Sequence, residues 1–173
     1  MYGPPGGGGL PQRSEAHARS AAEEVPAART YLNGGQVHIT EGAEAITTIL
    51  GSCVAVCLFD PVARVGGMNH FLLPRCLGRE PSPRFGDIAM RELFERTLLR
   101  GARQERLVAK VFGGARVMQA PSGHKPLGEE NTELALEFLA AKRIPVEQRD
   151  VGGTSGRKLV FRVGDGAAWV KPL

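Results

Sequence analysis

The chain reads as an α+β protein with mixed β-sheets and flanking helices, and three observations carry that reading. Short β-branched and apolar runs outnumber the segments with helical period. The two kinds do not alternate regularly, which argues against a doubly wound parallel sheet. With 173 residues, 42% of them hydrophobic and 23% charged, the chain can bury one real core.

Residues 1–30 are rich in Gly, Pro, Ala and charge. Such a segment buries too little apolar area to offset its ordering entropy, so a flexible tail is expected there and the domain proper over 31–173. Gln36–Thr40 is a short strand. Ala45–Leu50 and Cys53–Phe59 are two more, split by Gly51-Ser52. Asp60-Pro61 through Arg64 is a turn. Val65–Leu73 is the next strand, with Gly66-Gly67 at a bulge or a close approach, and Pro74 ends it. Asp87 stands as the N-cap or first-turn acid of a helix to about Arg100. Ile88, Met90, Leu93, Phe94, Thr97 and Leu98 give it the helical period, and Gly101 stops it. Arg106–Phe112 is a buried strand. Residues 119–128 are a Gly/Pro loop, and Asn131–Lys142 is a second amphipathic helix. Pro145–Val151 is a strand, and Lys158–Val163 and Ala167–Lys171 form a hairpin across Gly164-Asp165-Gly166.

Composition narrows the function classes. No apolar run approaches the ~20 residues of a membrane span. The N-terminus has no basic segment followed by an apolar one, so a secretory signal is not expected. Three cysteines without a disulfide spacing fit free thiols in a reducing cytoplasm. The net charge of +4 comes from scattered basic residues without an aromatic platform, which argues against nucleic acid as a partner.

The chemistry concentrates in LGSCVAVCLF and GGMNHF. Cys53 ends a glycine turn at the start of an apolar strand, and His70 lies inside the next apolar run, 17 positions on. Adjacent strands can bring a thiol and an imidazole together, and the imidazole can then take the thiol proton to leave a strong nucleophile. Gly51 and Ser52 free the backbone to present N–H groups to a developing oxyanion. Cys57 lies mid-strand among apolar residues and reads as an inert core thiol. His38 and His124 compete with His70 as the base, whereas His17 lies in the tail. Cys53, Cys57, His70 and Cys76 are ligand types for zinc. But Cys53 and Cys57 lie roughly 13 Å apart along one strand, too far for one tetrahedral ion. No metal and no organic cofactor are expected. Gly113-Gly114 and Gly152-Gly153 lack phosphate-loop spacing.

LGSCVAVCLFDP, GGMNHFLLP, RFGDIAM at 84–90, AKVFGGA at 109–115, GEEN at 128–131 and DVGGTSGRK at 150–158 together resemble the chemoreceptor glutamine deamidase family, CheD. The likeness runs from about residue 33 to the C-terminus, departing at Glu130 and Thr154. It implies an α+β fold similar to the deamidase domain of cytotoxic necrotizing factors. It implies that Cys53 is the nucleophile, His70 the base and later the acid, and Thr47 the third catalytic position, its hydroxyl orienting the imidazole. The implied reaction is hydrolysis of glutamine side chains on the cytoplasmic region of methyl-accepting chemotaxis receptors, releasing ammonia; some members also remove receptor methyl esters. The alternative it implies is a binding module for a CheC phosphatase acting on phosphorylated CheY. A papain-like peptidase is the weaker third class, for no papain-type cysteine signature is present.

Overall fold

The computed structural model describes residues 28–173, so most of the expected tail lies outside the described residues. Nine strands and two helices follow in the order β1 (Arg29–Tyr31), β2 (Gln36–Glu41), β3 (Ala45–Leu50), β4 (Val54–Asp60), β5 (Val65–His70), α1 (Gly86–Leu99), β6 (Val108–Gly113), α2 (Leu127–Ala141), β7 (Val146–Val151), β8 (Arg157–Arg162) and β9 (Ala167–Pro172). They form a four-stranded sheet ordered β1-β3-β8-β9 and a five-stranded sheet ordered β2-β5-β4-β6-β7. Both sheets mix parallel with antiparallel pairs, β1 with β3 and β6 with β7 being parallel. The fold class is therefore the mixed α+β arrangement expected.

β4 shows how the layers are built. It is central in its sheet and buried along its whole length. Val54, Val56 and Leu58 face a core shared with Ala89, Met90, Leu93, Leu134 and Leu139 of the helices. Ala55, Cys57 and Phe59 face the opposite way, onto Ile46, Leu50, Leu159 and Phe161 of the four-stranded sheet. Alternation along one strand thus feeds two cores, and the layers run sheet, sheet, helices. β5 obeys the same rule: Val65 and Phe71 face the helices, while Met68 faces the other sheet. Gly67 lies where its backbone meets the His38 carbonyl so closely that a Cβ would strike it, which explains the glycine expected at a close approach.

Four boundaries differ from the sequence expectation by more than one residue, the first being β5, which ends at His70 rather than at Leu73. β1 starts at Arg29, inside the segment expected to be tail, because it pairs with β3 over Arg29↔Ala45 to Tyr31↔Thr47. Its alternation is too short to register as a strand pattern. α2 begins at Leu127, a turn before Asn131, because Pro126 supplies the extended residue ahead of the first turn and Glu129 and Glu130 favour that turn electrostatically. β6 begins at Val108, because Gln104–Arg106 is a 3-10 turn. That turn brings Arg106 onto Asp60, fully buried at the end of β4, with Nη2–Oδ2 at 2.7 Å.

Candidate active site

Gly51-Ser52-Cys53 is the crossing from β3 in one sheet to β4 in the other. Its three carbonyls are each held from behind. Ala115 N donates to Gly51 O at 2.8 Å and Gly114 N to Cys53 O at 2.8 Å. Asn131 Nδ2 donates to Ser52 O at 3.1 Å. Gly113, at φ 104°, passes so near the Cys53 carbonyl that no Cβ fits there. In a planar trans peptide the N–H points opposite the preceding C=O. The tethers on Gly51 O and Ser52 O therefore turn the N–H groups of Ser52 and Cys53 away from the protein body. Among the described residues neither N–H has a backbone or side-chain acceptor other than the Cys53 sulfur itself.

β5 brings His70 to the same face. Cys57↔Met68 and the Val54↔Phe71 bridge lie in one register, which sets His70 opposite Ala55. Cys53, two residues before Ala55 and just ahead of β4, lies on the same side of this strand pair as His70. His70 is buried, and Cys53 is half-buried.

The residue behind the imidazole is not the expected one. Thr48 Oγ1 lies 2.8 Å from His70 Nδ1. The Thr47 hydroxyl instead donates to Leu159 O at 2.9 Å, on the neighbouring strand β8. The expectation for Thr47 was one residue out of register. The cause is packing: Ile46, Thr48 and Leu50 of β3 point between the sheets, where His70 lies, so Thr47 and Ile49 must point outward. Thr48 also donates its single proton to Leu32 O, at 2.7 Å. It can then only accept from the ring, so Nδ1 carries the hydrogen and Nε2 offers its lone pair.

Burial raises the Cys53 thiol above its ordinary pKa, offset in part by its own backbone N–H. Burial likewise lowers His70, against the hydrogen bond to Leu32 O that raises it. Both shifts favour the neutral forms of the two groups.

The competing candidates fall elsewhere. His38 Nε2 pairs with Glu44 Oε1 at 2.9 Å, and His124 is exposed in the loop before α2. Cys57 is buried with its thiol pKa strongly raised by burial. Cys76 is buried beside the Arg79 carbonyl. Among the described residues no three His, Cys, Asp or Glu side chains converge as a metal site. No described helix is long and apolar enough to cross a membrane. A cleft of about 440 Å³ between Gly114, Arg116, Thr132 and Gly152 includes neither Cys53 nor His70. Ser52 lines a separate depression of about 50 Å³ with Ala115, Val117, Met118 and Leu127.

In the sequence Asn131 is the last letter of GEEN and the first residue of the expected second helix, with no role at the site. Its carboxamide donates both to Ser52 O and to Leu72 O, at 3.1 and 3.0 Å, and its Oδ1 is buried without a donor. Nothing in the sequence spacing links residues so far apart.

The sequence matches the family CheD, chemotactic sensory transduction, over residues 73–172. It is 57% identical over 160 residues to the probable chemoreceptor glutamine deamidase CheD 1 of Anaeromyxobacter dehalogenans, covering 90% of this chain and 94% of that protein. It is 46% identical over 143 residues to the probable chemoreceptor glutamine deamidase CheD of Trichlorobacter lovleyi, covering 82% of this chain and 89% of that one. The corresponding protein of Rhizobium leguminosarum is 43% identical over 158 residues, with 87% and 83% covered.

Proposed function

This chain belongs to the CheD family, and from that membership we propose that it deamidates glutamine side chains of chemoreceptors through Cys53, His70 and a positioning hydroxyl from Thr48. The observation that supports the proposal is the placement of a half-buried thiol on a tethered glycine turn, its N–H groups bonded to no acceptor but that sulfur, beside the strand end that carries an imidazole of fixed tautomer. The substrate class comes from the relatives, which bear the name chemoreceptor glutamine deamidase.

The chemistry runs without a metal or cofactor. Cys53 gives its proton to His70 Nε2 as sulfur bonds to the carboxamide carbon. The oxyanion is met by the N–H groups of Ser52 and Cys53; losing one such donor in an acyl-transfer enzyme costs about 3–4 kcal/mol. His70, now imidazolium, still donates from Nδ1 to Thr48 and gives its Nε2 proton to the departing nitrogen, so the C–N bond breaks and ammonia leaves. Water then attacks the thioester, with His70 taking one proton and returning it to sulfur as the C–S bond breaks. Glutamine and water have become glutamate and ammonia. Thr48 accepts in both protonation states of the ring, so no side chain need rearrange between the steps. Because its substrate is the cytoplasmic region of the receptors, the enzyme would work in the cytoplasm.

The test is ammonia release from a receptor cytoplasmic fragment. The wild-type chain should release it and convert specific glutamines to glutamate. Cys53→Ala should abolish release, whereas Cys57→Ala and Cys76→Ala should retain most of it. A Cys53→Ala protein of unchanged fold with wild-type activity would falsify the assignment. The binding-module alternative forecasts the reverse: no ammonia from any form, but altered dephosphorylation of CheY by a CheC phosphatase.

A further inference from the structure

We propose that Asn131 is a positioning residue for acyl transfer: it fixes the peptide plane that aims the Cys53 N–H at the oxyanion and locks the nucleophile turn to the end of the histidine strand. The chemical class of substrate is taken from the deamidase reading, but the geometry of the proposal stands apart from it.

Asn131 is fully buried near the start of α2. From there it reaches carbonyls 79 and 59 residues away in the chain. One of them, Ser52 O, belongs to the peptide whose N–H is that of Cys53. The other, Leu72 O, follows His70 by two residues. A carbonyl only accepts, so these two bonds use both hydrogens of the amide and fix which way it faces. An inverted amide would set Oδ1 against two carbonyl oxygens. The orientation that serves the site leaves Oδ1 buried with no donor among the described residues. With Ser52 O held, planarity sends the Cys53 N–H in the opposite direction, outward. Gly51 O and Cys53 O are held by backbone N–H groups. Ser52 O is the one carbonyl of the turn that a side chain holds.

The test separates an oxyanion-dependent reaction from one that has none. Acetyl transfer from p-nitrophenyl acetate to Cys53 passes through a tetrahedral oxyanion and expels p-nitrophenolate, while alkylation of Cys53 by iodoacetamide does not. In Asn131→Asp a carboxylate would face both carbonyls. At pH 8 its acylation rate should fall at least tenfold below wild type, since a misdirected oxyanion donor loses part of the ~10²–10³-fold such donors supply. Its alkylation rate should stay within threefold. Burial among carbonyls raises the pKa of the introduced carboxyl, so acidification to pH 6 returns one donor, and acylation relative to wild type should recover severalfold. Asn131→Leu should give the same split without the recovery, and it serves if the Asp variant does not fold. Acylation within twofold of wild type overturns the proposal. So do acylation and alkylation falling together, or an Asp variant whose relative acylation ignores pH. Ammonia release from the receptor fragment is measured in parallel. A wild-type chain that acylates but releases no ammonia removes the deamidase reading and leaves Asn131 to be judged on acylation.

Discussion

Replacing Thr48 by valine removes one oxygen and keeps the branched shape. Two hydrogen bonds go with it, the 2.7 Å donation to Leu32 O and the 2.8 Å acceptance from His70 Nδ1. Thr48 is fully buried and His70 nearly so, so water does not readily replace the lost hydroxyl. Leaving one buried donor unmatched costs about 1–3 kcal/mol. If that cost falls on the active ring orientation, kcat/KM drops roughly 5–150-fold. The lower end applies if the Leu32 carbonyl, already within reach of the ring, takes over as its acceptor. Thr48→Ser restores the hydroxyl and should recover most of the loss, short only of the methyl group that limits rotation. Thr47→Val is the matched control. It loses the bond to Leu159 O, worth about 0.5–1.5 kcal/mol of stability, and should leave turnover within twofold. Ammonia release from the receptor fragment, with melting temperatures measured alongside, distinguishes the two sites. If Thr47→Val proved slower than Thr48→Val at equal stability, the register drawn here between β3 and His70 would be refuted.

Because burial raises the Cys53 thiol, its alkylation rate should keep climbing through pH 9 with no plateau near neutrality; a plateau at pH 7 would show a preformed thiolate. Burial alone would raise the Asp60 carboxyl, but Arg106 and the N–H groups of Ala63, Arg103 and Val62 outweigh it and lower the pKa from 3.8 to about 2. A depressed carboxyl contributes stability in full above its unfolded pKa and loses it as pH falls through the folded one. Asp60→Asn should therefore cost about 2 kcal/mol at pH 7 and flatten the pH dependence of melting between about pH 4 and pH 2; an unchanged acid limb would exclude Asp60 as its source. Removing residues 1–27 should leave turnover and melting temperature nearly unchanged. Removing residues 1–33 should abolish turnover, because β1 and the Leu32 carbonyl that takes the Thr48 proton go with them; full activity after the longer truncation would discard that carbonyl's role.

The sequence by itself determined most of the local elements and singled out Cys53 and His70 as the candidate pair. β3 was legible to the residue, because a β-branched run between Gly42-Ala43-Glu44 and Gly51-Ser52 has one way to be a strand. Cys53 was legible because a glycine turn before an apolar strand is uncommon chemistry for a core thiol, and His70 because it interrupts an apolar run. The choice between Thr47 and Thr48 was not legible. Strand side chains alternate with a period of two, and adjacent threonines fit either face equally well until another sheet covers one of them. The four-stranded sheet stacked on β4 and β5 made that choice, pressing Ile46, Thr48 and Leu50 inward. β1 escaped notice for a related reason: three residues carry too little alternation, and only their pairing with β3 makes them a strand. Asn131 lay furthest beyond the sequence. Its partners are backbone carbonyls, which every residue possesses, so no residue type marks them. Only the packing of α2 against β4 and β6 brings its two donors within reach of Ser52 and Leu72.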